Sequence, residues 1–241
     1  MWSLPARAAV AIAVGASAIA VAPAPASAGA GPPPTARPGR FTPRVTNPFY
    51  PLRPGMRWIY RGVDGSHRML DVVRVLDRVE QVDGVPCAVI DDRVSLDGRL
   101  AERTTDWYTQ DGDGTVWYYG ERTAEIDRHG RVTSREGSWR AGVDGARPGI
   151  FMPAQPSVGA SFAQEHYAGH AEDRFTIVAT GAAVTVPFRA FARGVLVTHE
   201  TSPLEPGVLD AKWYAAGIGQ VREATLRGGR ERADLVAFEP R

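Results

Sequence analysis

The sequence predicts an all-β fold, an antiparallel meander of about ten strands that curls into a curved open barrel or a two-sheet sandwich. Three observations predict it. From residue 57 onward, runs rich in Val, Ile, Thr, Tyr and Trp alternate with short turn sequences built on Asp-Gly. No window of that region carries an apolar stripe at helical spacing. The gaps between runs are short, so consecutive strands are antiparallel neighbours, and a flat sheet of that many strands would leave long unpaired edges.

The elements follow in order. Arg7, an almost unbroken run of Ala, Val and Ile over 8–22, and Ala26-Ser27-Ala28 have the layout of a secretory signal peptide cut after Ala28. The apolar run falls short of the roughly 20 residues that a membrane helix needs, so no transmembrane span is expected after cleavage. Residues 29–46 carry five prolines and three glycines and are expected to form an extended tether. One all-β domain then spans 47–241. Its strands are expected at 57–61, 68–79, 86–96, 100–110 and 116–127, then at 132–143, 161–167, 174–180, 188–201, 211–226 with a break at 217–219, and 233–238. The Gly- and Pro-rich stretch 144–159 reads as irregular, with Ile150, Phe151 and Met152 as an apolar plug. A short helix is expected around 201–207.

Composition narrows the function classes. The chain is 44% hydrophobic and 23% charged, ordinary for a globular protein. Its formal charge is +1, and because Arg7 leaves with the signal peptide, 27 basic residues then face 27 acidic ones. Neither value gathers nucleic acid or an anionic membrane. Of the basic residues one is a lysine, Lys212, and the rest are arginines, a pattern of GC-rich coding. Cys87 is the lone cysteine, so no intramolecular disulfide or thiolate-rich metal site can form. Set in the apolar stretch Pro86-Cys87-Ala88-Val89-Ile90, it reads as a buried, inert thiol.

The hairpin over 100–127 is the most informative segment. With its turn centred on Gly112-Asp113, Tyr108 opposes Trp117, Asp106 opposes Tyr119 and Thr104 opposes Glu121. One face would then carry Glu102, Asp106, Tyr108, Trp117, Tyr119 and Glu121, with Asp106 and Glu121 as diagonal neighbours. Acids among aromatic rings suit a sugar, a cation or another amphipathic ligand, and also paired-carboxylate chemistry. The run Asp111-Gly112-Asp113-Gly114 is explained by a hairpin turn without a calcium ion. A second cluster, 164–173, places Glu165, His170 and Glu172 on one face if Ala168-Gly169 is a tight turn, which makes them weak candidates for a divalent metal. No nucleophile elbow, P-loop or dinucleotide fingerprint occurs, and no cofactor is expected.

Several motifs together resemble an uncharacterised family of secreted bacterial proteins of actinobacterial type. They are Asn47-Pro48-Phe49-Tyr50-Pro51-Leu52 with Pro54-Gly55, Trp58 and Tyr60; Asp106-Trp107-Tyr108 with Gly114; Val116-Trp117-Tyr118 with Gly120-Glu121; Glu136-Gly137-Ser138-Trp139 with 141–146; and Trp213-Tyr214-Ala215 with Gly217 and Gly219. The resemblance implies export and a β-rich fold, and it transfers no catalytic residue. More distantly, the opening and the late Trp-Tyr-Ala hairpin are similar to half-barrel envelope proteins that bind lipid or other apolar ligands.

Three readings therefore stand: a secreted or cell-envelope binding protein for a small amphipathic or lipid-like ligand or a partner protein; a surface-assembly protein without a pocket; and a metal- or carboxylate-dependent hydrolase. A pocket exposing both Asp106 and Trp117 would favour the first over the second. Convergence of Glu165, His170 and Glu172 would favour the third.

Overall fold

The structure, a computed structural model, describes residues 41–240, so the expected signal peptide and most of the tether lie outside the described residues. Fifteen strands follow one another: β1 (Arg57–Asp64), β2 (His67–Val82), β3 (Val85–Leu96), β4 (Arg99–Gln110), β5 (Val116–Ile126), β6 (Val132–Ser134), β7 (Trp139–Arg140), β8 (Arg147–Met152), β9 (Ser161–Ala163), β10 (Glu165–His166), β11 (Arg174–Thr185), β12 (Ala190–Thr201), β13 (Leu209–Ala215), β14 (Gly219–Arg227) and β15 (Arg232–Glu239). No helix occurs among the described residues.

All pairings are antiparallel, in the order β10-β8-β5-β4-β3-β2-β1-β15-β14-β13-β12-β11-β9, with β6 and β7 as short additions to β5. The terminal strands of that order, β10 and β9, are separated in the chain by Gln164 alone. The chain itself thus draws the edges together, and the sheet is a nearly closed barrel rather than a sandwich.

Local chemistry sets the turns. Asp83-Gly84 and Asp97-Gly98 have positive φ at both positions (49° and 73°, 49° and 81°), the geometry of two-residue hairpin turns that match strand twist. Between β4 and β5 the Asp111 carboxylate accepts from the backbone N–H of Asp113 (3.1 Å) and Thr115 (2.9 Å), so the Asp-Gly run is used as a turn.

Three expectations need correction. The stretch 144–159 contains β8, whose Ile150, Phe151 and Met152 are buried in the sheet. It is Gly149 that lets β8 lie there, because a Cβ would sit 2.2 Å from the Gln164 carbonyl oxygen. Thr201 ends β12 and residues 203–207 form turns rather than a helix, since Pro203 and Pro206 each lack an N–H for a helical ladder. Residues 41–46, expected in the tether, pack on the sheet: Thr42 exchanges two backbone hydrogen bonds with Gln110, and Val45 is fully buried.

The sheet is buried on both faces along β4 and β5. On the outer face, Trp107, Trp117, Tyr119 and Cys87 are buried, and Phe41 adds its ring 6.2 Å from Trp117 and 5.8 Å from Tyr119. Burial pushes the Cys87 thiol up to about 12, as an inert thiol requires. The inner face encloses the barrel interior.

Candidate functional site

Inside the barrel lies a cavity of about 140 Å³. Its aromatic wall includes Tyr50, Trp58, Tyr60, Tyr108, Tyr118 and Phe151, and the rest is largely acidic: Asp71, Asp92, Glu102, Asp106, Glu121, Glu223 and Glu231. Lys212 supplies the cationic group of the lining.

A β-bulge decides which aromatics reach the interior. Below it, Asp106 pairs with Glu121 and Thr104 with Thr123; above it, Tyr108 pairs with Tyr118 and Thr109 with Trp117. The extra residue falls beside Gly120, whose φ of 133° and whose approach to the Trp139 carbonyl (2.5 Å from a would-be Cβ) exclude any larger side chain. The bulge keeps Glu121 inward while turning Tyr118 in and Trp117 and Tyr119 out. The expected face is therefore corrected. Asp106, Tyr108 and Glu121 line the cavity, and Tyr118 joins them; Trp117 and Tyr119 lie on the outer face, where Trp117 donates its indole N–H to Asp111 (2.8 Å).

The inner face of this hairpin is built around the Tyr118 hydroxyl. It contacts Asp106 Oδ1 at 2.7 Å and Glu121 Oε2 at 3.1 Å. The Tyr118 ring stacks on Tyr108 with centroids 4.6 Å apart and planes 12° apart, and Trp139 meets it edge-on at 5.3 Å. Phe151 and Tyr50 close against Tyr108 at 4.9 Å and 5.2 Å. Burial, reinforced by the Asp92 carboxylate, lifts Asp106 to about 7 even though the Tyr118 hydroxyl favours its ionised form. Glu121 is raised well above the usual range by burial and then by the acids Glu165, Asp106 and Glu102. Its Oε1 is buried without a hydrogen-bond partner among the described residues.

Another group of acids, on β12 and β14, surrounds Lys212 of β13. The ammonium lies 2.8 Å from Glu200 Oε2 and 3.7 Å from Glu223 Oε1. Burial alone would pull its pKa down, but Glu200 and Glu223 outweigh that and hold it above the ordinary value. Thr198 and Gln164 donate to the other oxygen of Glu200, and Gln220 donates to Glu223. Lys212, Tyr118 and Glu223 escaped the sequence reading of the site. One signal was present for Lys212, a single lysine in a chain that otherwise uses arginine.

The candidate metal residues do not converge. Glu165 is buried and accepts from the Trp139 indole at 3.1 Å. His170 is half exposed, stacked on Tyr167 at 4.5 Å, with Nδ1 3.5 Å from Glu136. Glu172 caps the tight turn by accepting from the Gly169 N–H. Among the described residues no group of three or more His, Cys, Asp or Glu side chains is placed to hold a metal ion.

No protein-family model matches the sequence, and no curated protein matches it. Among solved structures, a protein described as a "putative lipoprotein" from Parabacteroides distasonis ATCC 8503 is similar at 12% identity, over 79% of this chain and 98% of its own, with a TM-score of 0.42. A likeness that distant carries no functional argument.

Proposed function

We propose that this protein is a secreted or cell-envelope binding protein, without catalytic activity, that holds a small amphipathic ligand inside the barrel. The interior cavity carries the reading, because it joins an aromatic wall to buried acids. A barrel whose interior served packing alone would be filled by aliphatic side chains, and burying this many carboxyls is costly unless something uses them. Placement in the envelope rests on the leader-like segment 1–28.

The size sets the ligand. A cavity near 150 Å³ takes a molecule such as benzene, so the bound portion is on the order of six to ten heavy atoms. Larger amphiphiles would leave part of their length outside.

Native mass spectrometry of the protein purified from its own host without detergent tests this. The expected spectrum contains a species heavier than the polypeptide by one small molecule, on the order of 100–200 Da for a ligand that fits entirely. The bare polypeptide mass, combined with no thermal shift from a panel of small amphiphiles, overturns the proposal.

A further inference from the structure

The Tyr118 hydroxyl has one hydrogen and two carboxyl neighbours, Asp106 Oδ1 at 2.7 Å and Glu121 Oε2 at 3.1 Å. Both contacts are hydrogen bonds only if one carboxyl brings a proton of its own. The bridge thus holds a proton that an ionised pair would lack, and it still leaves Glu121 Oε1 buried without a hydrogen-bond partner among the described residues. Glu121 is 4% exposed and lines the cavity. An unsatisfied carboxyl oxygen in such a place calls for a donor.

Inside the cavity the groups around the bridge are mostly acids, and the arginines near Glu121, Arg122 and Arg140, belong to a separate pocket on its other side. From β3 comes Asp92, from β4 Glu102 and from β10 Glu165. The cation that faces it, Lys212 of β13, is already engaged by Glu200 and Glu223. Around the bridge, Tyr108 and Tyr118 stack on each other and Phe151 meets Tyr108 edge-on.

We infer that the ligand's head group is a primary or secondary ammonium, seated at the Asp106–Tyr118–Glu121 bridge in exchange for the bridging proton. This rests on the reading of the cavity as a ligand site. An N–H-bearing ammonium satisfies Glu121 Oε1, and its charge lets both carboxyls ionise. A quaternary ammonium lacks the N–H that the free oxygen needs.

Three probes with one tail and different heads separate the outcomes: hexylamine, 1-hexanol and hexanoate, titrated into the full chain by calorimetry at pH 7 in buffers of different ionisation enthalpy. The inference expects hexylamine to bind about tenfold or more tighter than hexanol. It also expects hexanoate to bind weakest, and hexylamine to release a fraction of a proton approaching one. In Glu121→Gln, which keeps the side-chain shape, the amine-to-alcohol preference falls about tenfold; Asp106→Asn does the same, and thermal melts confirm that both variants are folded. Equal binding of hexylamine and hexanol overturns the inference and leaves the amphipathic-ligand reading intact. Tightest binding by hexanoate also overturns it and moves the head group to Lys212. If none of the three binds, the amphipathic-ligand reading falls and the ammonium with it.

Discussion

Two groups of buried acids share the barrel interior, and they solve the same problem in different ways. On β12 and β14, Glu200 and Glu223 face the ammonium of Lys212. On β4 and β5, Asp106 and Glu121 have no cation of their own and meet through the Tyr118 hydroxyl. In the first group negative charge is buried against a built-in counter-ion. In the second it is neutralised in part by a proton, as the raised pKa values of Asp106 and Glu121 record. Burial penalises charge equally in both places, so the difference lies in whether the sequence supplies a cation. Where it does, one acid, Glu200, is held by the cation at 2.8 Å, while Glu223 lies farther off at 3.7 Å and is itself raised by burial. Where it does not, the site can trade its proton for a cation from outside.

Removing the built-in cation should have the largest effect. Lys212→Met keeps most of the aliphatic stem but leaves Glu200 and Glu223 facing each other without compensation, and breaking a buried pair in this way costs about 3–5 kcal/mol. Urea denaturation at pH 7 is expected to show that loss, and a smaller one at pH 5, where the stranded carboxyls take up protons more readily. A loss below about 1 kcal/mol at pH 7 would place the pair in a solvent-like setting and erase the contrast between the two groups.

Next is the pH dependence of the whole protein. Asp106 and Asp173 sit at about 7 through burial, and Glu121, Glu223 and Asp210 are raised in the same direction. A carboxyl whose folded pKa lies above its unfolded value binds more protons in the folded state. Its stabilising contribution is fully present below about 4 and is lost as pH rises to about 7. One carboxyl moved from about 4 to about 7 sets a scale of roughly 4 kcal/mol, which coupling between neighbours reduces for each further group. Asp97 and Asp127 are lowered by hydrogen bonds, Asp97 chiefly to His67 and Asp127 chiefly to the Arg131 backbone, and act weakly in the opposite sense, as does His166, lowered chiefly by burial. Lys212 stays charged throughout this window. Stability measured between pH 5 and pH 8 is therefore expected to fall as pH rises, and Glu121→Gln is expected to flatten the slope. A curve that rises toward pH 8 would mean that the interior acids are ionised and paired, as Glu200 is with Lys212.

Much of the fold was legible in the sequence because turn chemistry is local. Asp83-Gly84 and Asp97-Gly98 can hardly do anything but reverse a strand, and the first five strands fall where their Val-, Ile- and Tyr-rich runs place them. β8 was hidden because its glycine and its proline read as loop, whereas Gly149 serves a contact with Gln164 that the sequence does not display. The site was legible by half for a similar reason. Asp106 and Glu121 were seen as neighbours, and they are directly paired. The identity of the inward ring turned on one residue of register at Gly120. A glycine inside a strand is a recognisable warning of a bulge, and heeding it would have exchanged Trp117 for Tyr118. Lys212 stands more than 90 residues from either acid of the Tyr118 bridge, and only closure of the sheet brings it into their shared cavity.

The finest probe of the contrast is Tyr118→Phe, because it alters neither charge group directly and removes one hydroxyl. The ring keeps its stack on Tyr108 and its edge contact with Trp139, so the interior should remain packed. Asp106 and Glu121 lose the hydroxyl that donates to one of them and accepts from the other, at a cost of about 1–2 kcal/mol, and more at pH 8 than at pH 5 because the hydroxyl favours the ionised Asp106 carboxyl. Without that bond the Asp106 carboxyl should titrate above its value of about 7. Carbon-detected NMR of labelled aspartate side chains reads this directly, and the same spectra in Lys212→Met report the other group. An upward shift of Asp106 in Tyr118→Phe ties its proton to the phenol bridge. An unmoved or lowered titration would show that burial alone sets it, and the bridge would then have no hold on the proton that an incoming ammonium displaces.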